Sequence, residues 1–137
     1  MTGDAMLTLL LVDDEPSIAN GLGKLLARRG HSVAIALNSM SATEILTTRR
    51  IDILLIDYRM PDLRGDILYA KAVALQPHLQ TRTIFLTGDP SDDVQQVISE
   101  TGCPLLMKPF DIAELEAALR RLVGAIGGDT NQSVGAA

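Results

Sequence analysis

Two adjacent acids, Asp13 and Asp14, follow the apolar run LTLLLV (7–12), and a third, Asp57, ends DILLID (52–57). Thr87 ends RTIFLT (82–87) and Lys108 ends PLLMK (104–108). Each is a chemically capable side chain at the close of a segment that otherwise reads as core. Acids crowded together do not all ionise unaided, because like charges repel and burial penalises the charged form. A hard divalent cation resolves that conflict. Mg2+ takes oxygen ligands octahedrally, keeps several waters, and is commonly held by one or two carboxylates plus a phosphate. Lysine adds a compact positive charge for a phosphate oxygen, and threonine a hydroxyl donor. The combination is a phosphoryl-binding set, in which a carboxylate can act as the nucleophile and form an acyl phosphate. Taken singly, each residue has an ordinary explanation: an Asp after a strand as a turn or cap, a Thr in a strand for its β-propensity. Their recurrence at four segment ends is what argues for a site.

The elements that must bring these ends together alternate in kind. Short apolar runs at 7–12, 32–37, 52–57, 82–87 and 104–108 read as buried strands. Stretches of helical spacing lie between them: Ile18, Leu22, Leu25 and Leu26 in the first, and Ile112, Leu115, Leu119, Leu122 and Ile126 in the last. Ser39, Ser91 and Asp111 are candidate N-caps, Pro16 suits a first helical turn, and Gly30 closes the first helix. Alternating strands and helices predict right-handed crossovers and a doubly wound α/β fold, with a parallel sheet covered on both faces. Ligands in such sheets bind beyond the carboxyl ends of the strands. That places the ends carrying Asp13, Asp14, Asp57, Thr87 and Lys108 on one rim, while the second run ends in the unremarkable LNS.

Composition narrows the function. The chain has 137 residues, enough for one domain with a real core, and is 47% hydrophobic and 21% charged. Aromatics are only 3%, and the formal net charge is -5, which disfavours nucleic acid as a direct partner. The pairs Arg28-Arg29, Arg49-Arg50 and Arg120-Arg121 each fall near the expected end of a helix, where cations favour the dipole. A single cysteine, Cys103, has no disulfide partner and no metal-ligand spacing around it, so it reads as a filler in a reducing compartment. The opening MTGDAMLTLLLVDDE lacks the basic lead of a signal peptide, and no run is long enough to span a bilayer. The expectation is a soluble, cytoplasmic protein. Residues 1–6 read as a lead, 7–124 as the domain, and the Gly-rich 125–137 as a flexible tail or the start of a linker.

The set LLVDDEP, DILLIDYRMPDLRG, TIFLTGD and LLMKPFD resembles the receiver domain of two-component response regulators, in that family's order and near its spacing, from about Leu7 to Val123. The resemblance implies a flavodoxin-like three-layer sandwich with five strands in the order 2-1-3-4-5 and five helices. It implies that Asp57 is the phosphoacceptor, attacking the phosphohistidine of a histidine kinase or histidine phosphotransfer protein. Asp14 would be a direct ligand of Mg2+ (or Mn2+), Asp13 a ligand acting mainly through water, and the backbone carbonyl of Arg59 a further ligand. Thr87 would be the switch hydroxyl and Lys108 the phosphate-pairing lysine. Pro109 resembles the proline reached through a cis peptide, and Met60, Pro61 and Gly65 match the loop after the phosphorylated strand. Phosphorylation would then shift an inactive–active equilibrium and change the face made by the fourth helix, fifth strand and fifth helix. The expected assembly is a monomer or a phosphorylation-dependent dimer, whose output is a protein–protein contact with neither DNA nor a membrane.

Departures from the family pattern matter as well. The family usually has Tyr or Phe three residues before the lysine, where this chain has Leu105, and GCPLLMK (102–108) is one residue shorter than the common form. No ring is available there to follow Thr87. Shortened segments of this kind are frequent in receivers attached to hybrid kinases, so a module of a hybrid histidine kinase or longer regulator is the alternative to a stand-alone receiver. Arg59 and Asp89 each lie two residues beyond a site residue. They are expected to pair across the mouth and to hinder the water that hydrolyses an acyl phosphate. An aspartate-nucleophile phosphohydrolase of the haloacid-dehalogenase type is a remote reading. It needs a second Asp two residues after the first as acid/base, and Arg59 stands there. NGLGKLL (20–26) contains a GxGK but lacks the full phosphate-loop pattern and sits inside a helical repeat. A flavin site would want aromatic, hydroxyl-rich loops that the chain lacks.

Overall fold

The computed structural model describes residues 7–89 and 91–133, with side chains described to residue 124. Five strands, β1 (Thr8–Val12), β2 (Ser32–Ala36), β3 (Ile53–Asp57), β4 (Thr83–Thr87) and β5 (Leu105–Met107), form one sheet in the order β2-β1-β3-β4-β5. Every neighbouring pair is parallel. Five α-helices connect and follow them: α1 (Pro16–Arg28), α2 (Ser39–Thr48), α3 (Gly65–Leu75), α4 (Asp92–Thr101) and α5 (Ile112–Ser133). A short 3-10 helix at Pro77–Thr81 leads into β4. This is the doubly wound sandwich that the segment pattern predicts.

All five residues of β3 and all five of β4 are buried, as strands covered on both faces must be. Alternate residues serve opposite faces. Leu10, Val12, Leu54, Ile56 and Phe85 pack beneath α2, α3 and α4. Leu9, Leu11, Ile53, Leu55, Ile84 and Leu86 pack with Ala19 and Leu26 of α1 and with Leu115, Ala118 and Leu119 of α5. Each fully buried Leu or Ile contributes about 2 kcal/mol relative to exposure. On the α2–α4 side, Tyr69 meets Phe85 edge-on at 5.6 Å between ring centres, and its hydroxyl donates to the Gln80 carbonyl.

Several local expectations need correction. The buried face of α1 is Ala19, Gly23 and Leu26, whereas Ile18 and Leu25 are each 42% exposed. The cause is close approach: a Cβ on Gly23 would lie 2.9 Å from Ile35 Cδ1, so α1 sits tightly on β2 through its small residues. The cap of α2 is Asn38, whose side chain accepts from the Ser41 amide. Ser39 instead gives its amide and hydroxyl to Asp62 in the loop after β3. Ser91 caps α4 as expected, and Asp111 and Glu114 cap each other's amides at the start of α5. Gly30 follows α1 at φ 97°, which favours glycine. Arg120 and Arg121 fall in mid-helix, because α5 extends to Ser133. The expected boundary after residue 124 lies inside α5. The side chains of 125–133, and residues 134–137 and 1–6 altogether, lie outside the described residues. Among the described residues, no helix is long and apolar enough to cross a membrane.

Candidate phosphoryl and metal site

Sheet register levels the strand ends. Val12 pairs with Ile56, Asp57 with Leu86, and Thr87 with Met107, so the residues that follow meet on one rim. Asp13 continues β1 by one step, its amide donating to the Ala36 carbonyl at 3.1 Å. Lys108 does the same beyond β5, donating its amide to the Thr87 carbonyl at 2.8 Å. The Lys108–Pro109 peptide is cis.

Asp13, Asp14 and Asp57 each offer a carboxylate oxygen, and the three oxygens lie within 4.8 Å of one another. Asp13 and Asp57 are buried and Asp14 is half-buried. The Lys108 ammonium donates to Asp57 Oδ2 at 2.9 Å and to Asp13 Oδ2 at 3.1 Å. Asp57 Oδ1 accepts from the Arg59 amide at 3.1 Å, and Asp13 Oδ1 from the Glu15 amide at 3.0 Å. Burial pushes the Asp57 carboxyl above the ordinary carboxylate range. Its bond to Lys108 works against that rise, and the neighbouring Asp13 adds to it. Burial pulls the Lys108 ammonium downward, but its bonds to Asp57 and Asp13 prevail and hold it above the ordinary lysine value, so it is charged at neutral pH. All the donors around this point are oxygens apart from one ammonium, a set suited to a hard cation and unsuited to a soft one.

Thr87 is fully buried, and its hydroxyl accepts from the Asp89 amide at 3.0 Å. Gly65 opens α3 against the end of β3, where its amide donates to the Tyr58 carbonyl. A Cβ there would lie 2.7 Å from Tyr58 Cα and 2.9 Å from the Asp57 carbonyl oxygen, so glycine lets α3 start directly behind Asp57. Arg59 and Asp89 do pair across the rim: Arg59 Nε donates to Asp89 Oδ2 at 2.8 Å, and a terminal guanidinium nitrogen donates to the same oxygen. Both residues line the cavity above Asp57, with Glu15 and Gly88 beside them. Leu105 is half-buried on β5 and edges a separate groove with Ile98 and Cys103. Cys103 is half-buried, with its Sγ 3.7 Å from the Gln80 carbonyl.

One surface feature escaped the hydropathy pattern. Ile18 and Leu25, which α1 turns outward, line an apolar hollow with Pro109, Phe110 and the half-buried Leu22, and Lys108 reaches it from the acidic site. The signal was present as apolar residues in excess of what one buried helix face needs.

The same constellation has relatives. The chain is 34% identical over 123 residues to the probable transcriptional regulator ycf27 of Cyanidium caldarium, covering 86% of this chain and 47% of that protein. It is 28% identical over 114 residues to sporulation initiation phosphotransferase F of Bacillus subtilis, covering 82% and 90%. Some relatives are much longer than the matched region; the chain spans 25% of the transcriptional regulatory protein GlrR of Escherichia coli. A response regulator of Burkholderia pseudomallei, solved with a phosphorylated aspartic acid, a calcium ion and citrate, superposes with a TM-score of 0.77 at 25% identity, over 93% of this chain and 74% of that one. The sequence pattern of the response regulator receiver domain matches residues 9–120. With that match spanning most of its length, and with its acids, threonine and lysine converging at four strand ends, the chain belongs to the response regulator receiver domains of two-component signal transduction.

Proposed function

We propose that Asp57 accepts a phosphoryl group from the phosphohistidine of a histidine kinase or histidine phosphotransfer protein, and that Mg2+, or Mn2+, is the required cofactor. The observation that carries this is the Lys108 ammonium bridging Asp57 and Asp13, with Asp14 alongside. Asp57 attacks phosphorus, the P–N bond breaks, and its electron pair leaves on the imidazole nitrogen. Lys108 meets the charge on the transferred oxygens, and the Thr87 hydroxyl gives up the Asp89 amide to donate to one of them. Asp13, Asp14, Asp57 and the Arg59 carbonyl would hold the cation, which would supply charge neutralisation that three acids otherwise lack. The chain is a signalling receiver, and the only chemistry it promotes is on its own aspartate. The receiver unit begins near residue 7 and ends within α5, and it acts in the cytoplasm through protein contacts. With Mg2+ and phosphoramidate, the smallest P–N donor, intact mass should show one phosphoryl adduct per chain, absent after chelation. Several adducts, or one indifferent to chelation, contradict the reading.

The apolar hollow at Ile18, Leu22 and Leu25 borders this site through Lys108 and is the docking face that best suits the phosphodonor protein. Changing Ile18 to Asp should slow transfer from a protein donor about tenfold or more, while leaving labelling by phosphoramidate unchanged. Equal loss with both donors contradicts this assignment.

Arg59, which pairs with Asp89 over Asp57 in the resting protein, covers the approach of water to the acyl phosphate. Arg59→Ala is therefore expected to speed dephosphorylation several-fold. Decay of the purified phosphoprotein measures it, and an unchanged rate removes the shielding role.

A further inference from the structure

Phosphorylation changes the charge that this site must hold. A divalent cation would balance the three carboxylates and one ammonium. A phosphoryl group carries close to two negative charges in place of the carboxylate's one, so the phosphorylated site needs another cation. Among the described residues lining the cavity, Arg59 is the only cation besides Lys108. Its backbone is already anchored at the acceptor, because its amide donates to Asp57 Oδ1. Its guanidinium, however, is held by Asp89. That bond sits at the exposed rim, where a single carboxylate competes weakly. A phosphoryl group offers three strong acceptor oxygens and more charge, in a more buried place.

We propose that Arg59 is a second phosphoryl-binding residue, held by Asp89 in the resting protein, whose guanidinium turns from Asp89 to the phosphoryl oxygens when Asp57 is modified. The inference rests on Asp57 being the phosphoacceptor. It also supplies a route to α4 that needs no aromatic ring at Leu105. Asp89 is a node: its Oδ2 takes Arg59, its Oδ1 takes the Ser91 amide at 2.9 Å, and its own amide holds the Thr87 hydroxyl. Ser91 in turn caps α4 through the Val94 amide. Phosphorylation withdraws both Arg59 and Thr87 from Asp89, and the start of α4 loosens.

The test is binding of beryllofluoride, an acyl-phosphate mimic, to the full chain with Mg2+, followed by fluorine NMR. Arg59→Ala should weaken binding about tenfold, through loss of a charge-assisted bond. Asp89→Ala should tighten it several-fold by removing the competitor, and the double variant should behave like Arg59→Ala. In the native protein, ligation should also raise hydrogen exchange at the Ser91 amide. Unchanged affinity in Arg59→Ala, or weakening by Asp89→Ala, overturns the swap. An unmoved Ser91 amide overturns the step to α4. Failure of the native protein to bind beryllofluoride at all sinks the phosphoacceptor reading itself, so the two failures are distinguishable.

Discussion

Lys108→Ala is expected to slow phosphoryl transfer to Asp57 by about 10²–10³-fold, the usual cost of removing a preorganised charge from a reaction centre. The ammonium touches both buried carboxylates, Asp57 at 2.9 Å and Asp13 at 3.1 Å, so nothing in the resting site substitutes for it. A second effect should appear in stability. Asp13 is 1% exposed, and without Lys108 it keeps only the Glu15 amide as a side-chain partner among the described residues. Stranding buried charge in this way costs about 3 kcal/mol, which for a domain of this size lowers Tm by roughly 10 °C. Mg2+ should recover part of that loss in stability without restoring the rate. Lys108→Arg should restore the charge but only part of the rate, because a planar guanidinium cannot place one compact charge between the two carboxylates. Rates with a small phosphodonor, together with thermal melts, separate the two effects, and a near-native rate in Lys108→Ala contradicts the role.

Asp57→Asn is expected to abolish labelling and, at the same time, to make the metal-free protein more stable. Burial holds the Asp57 carboxyl above the ordinary range, with Asp13 adding to the rise. A folded state that keeps its proton more tightly than the unfolded chain is favoured at low pH. That stability is fully present below the unfolded carboxyl value and is lost as pH rises through the raised folded value. The native, metal-free protein loses it as its Asp57 carboxyl ionises, and the Asn variant never depended on it. The variant should therefore melt higher at pH values where the native carboxyl is ionised, with the gap closing as pH falls into the acid range. Mg2+ should raise the Tm of the native protein far more than that of the variant, because ligand binding to the folded state is itself stabilising. A variant that melts lower than the native chain at neutral pH, without metal, contradicts this electrostatic account.

The strands and the site were legible for related reasons. β3 and β4 are buried on both faces, so their sequences are continuous apolar runs with abrupt ends. In a parallel sheet those ends share one rim, which makes Asp57, Thr87 and Lys108 neighbours whatever the details of the helices. Spacing also foretold Arg59 and Asp89, since the turns after β3 and β4 both curl over the same cavity. The orientation of α1 was not legible. Hydropathy counts large apolar side chains, whereas the helix packs through Ala19 and Gly23 because small residues allow the closest approach to β2. The start of α2 was ambiguous for another reason. Asn38 and Ser39 are both capping residues, and what decides between them is Asp62, 23 residues away, which engages the Ser39 hydroxyl. The length of α5 was hidden by its small and polar residues after Val123, which carry a weak apolar pattern.

The most direct test is to locate the phosphoryl group. The native chain is incubated with acetyl phosphate and Mg2+, then treated with borohydride, which reduces an acyl phosphate to the alcohol, and mapped by peptide mass. The account predicts homoserine at position 57 and nowhere else, with none formed when Mg2+ is chelated. Reduction at another acid, or a phosphoryl label that persists in Asp57→Asn, would contradict it.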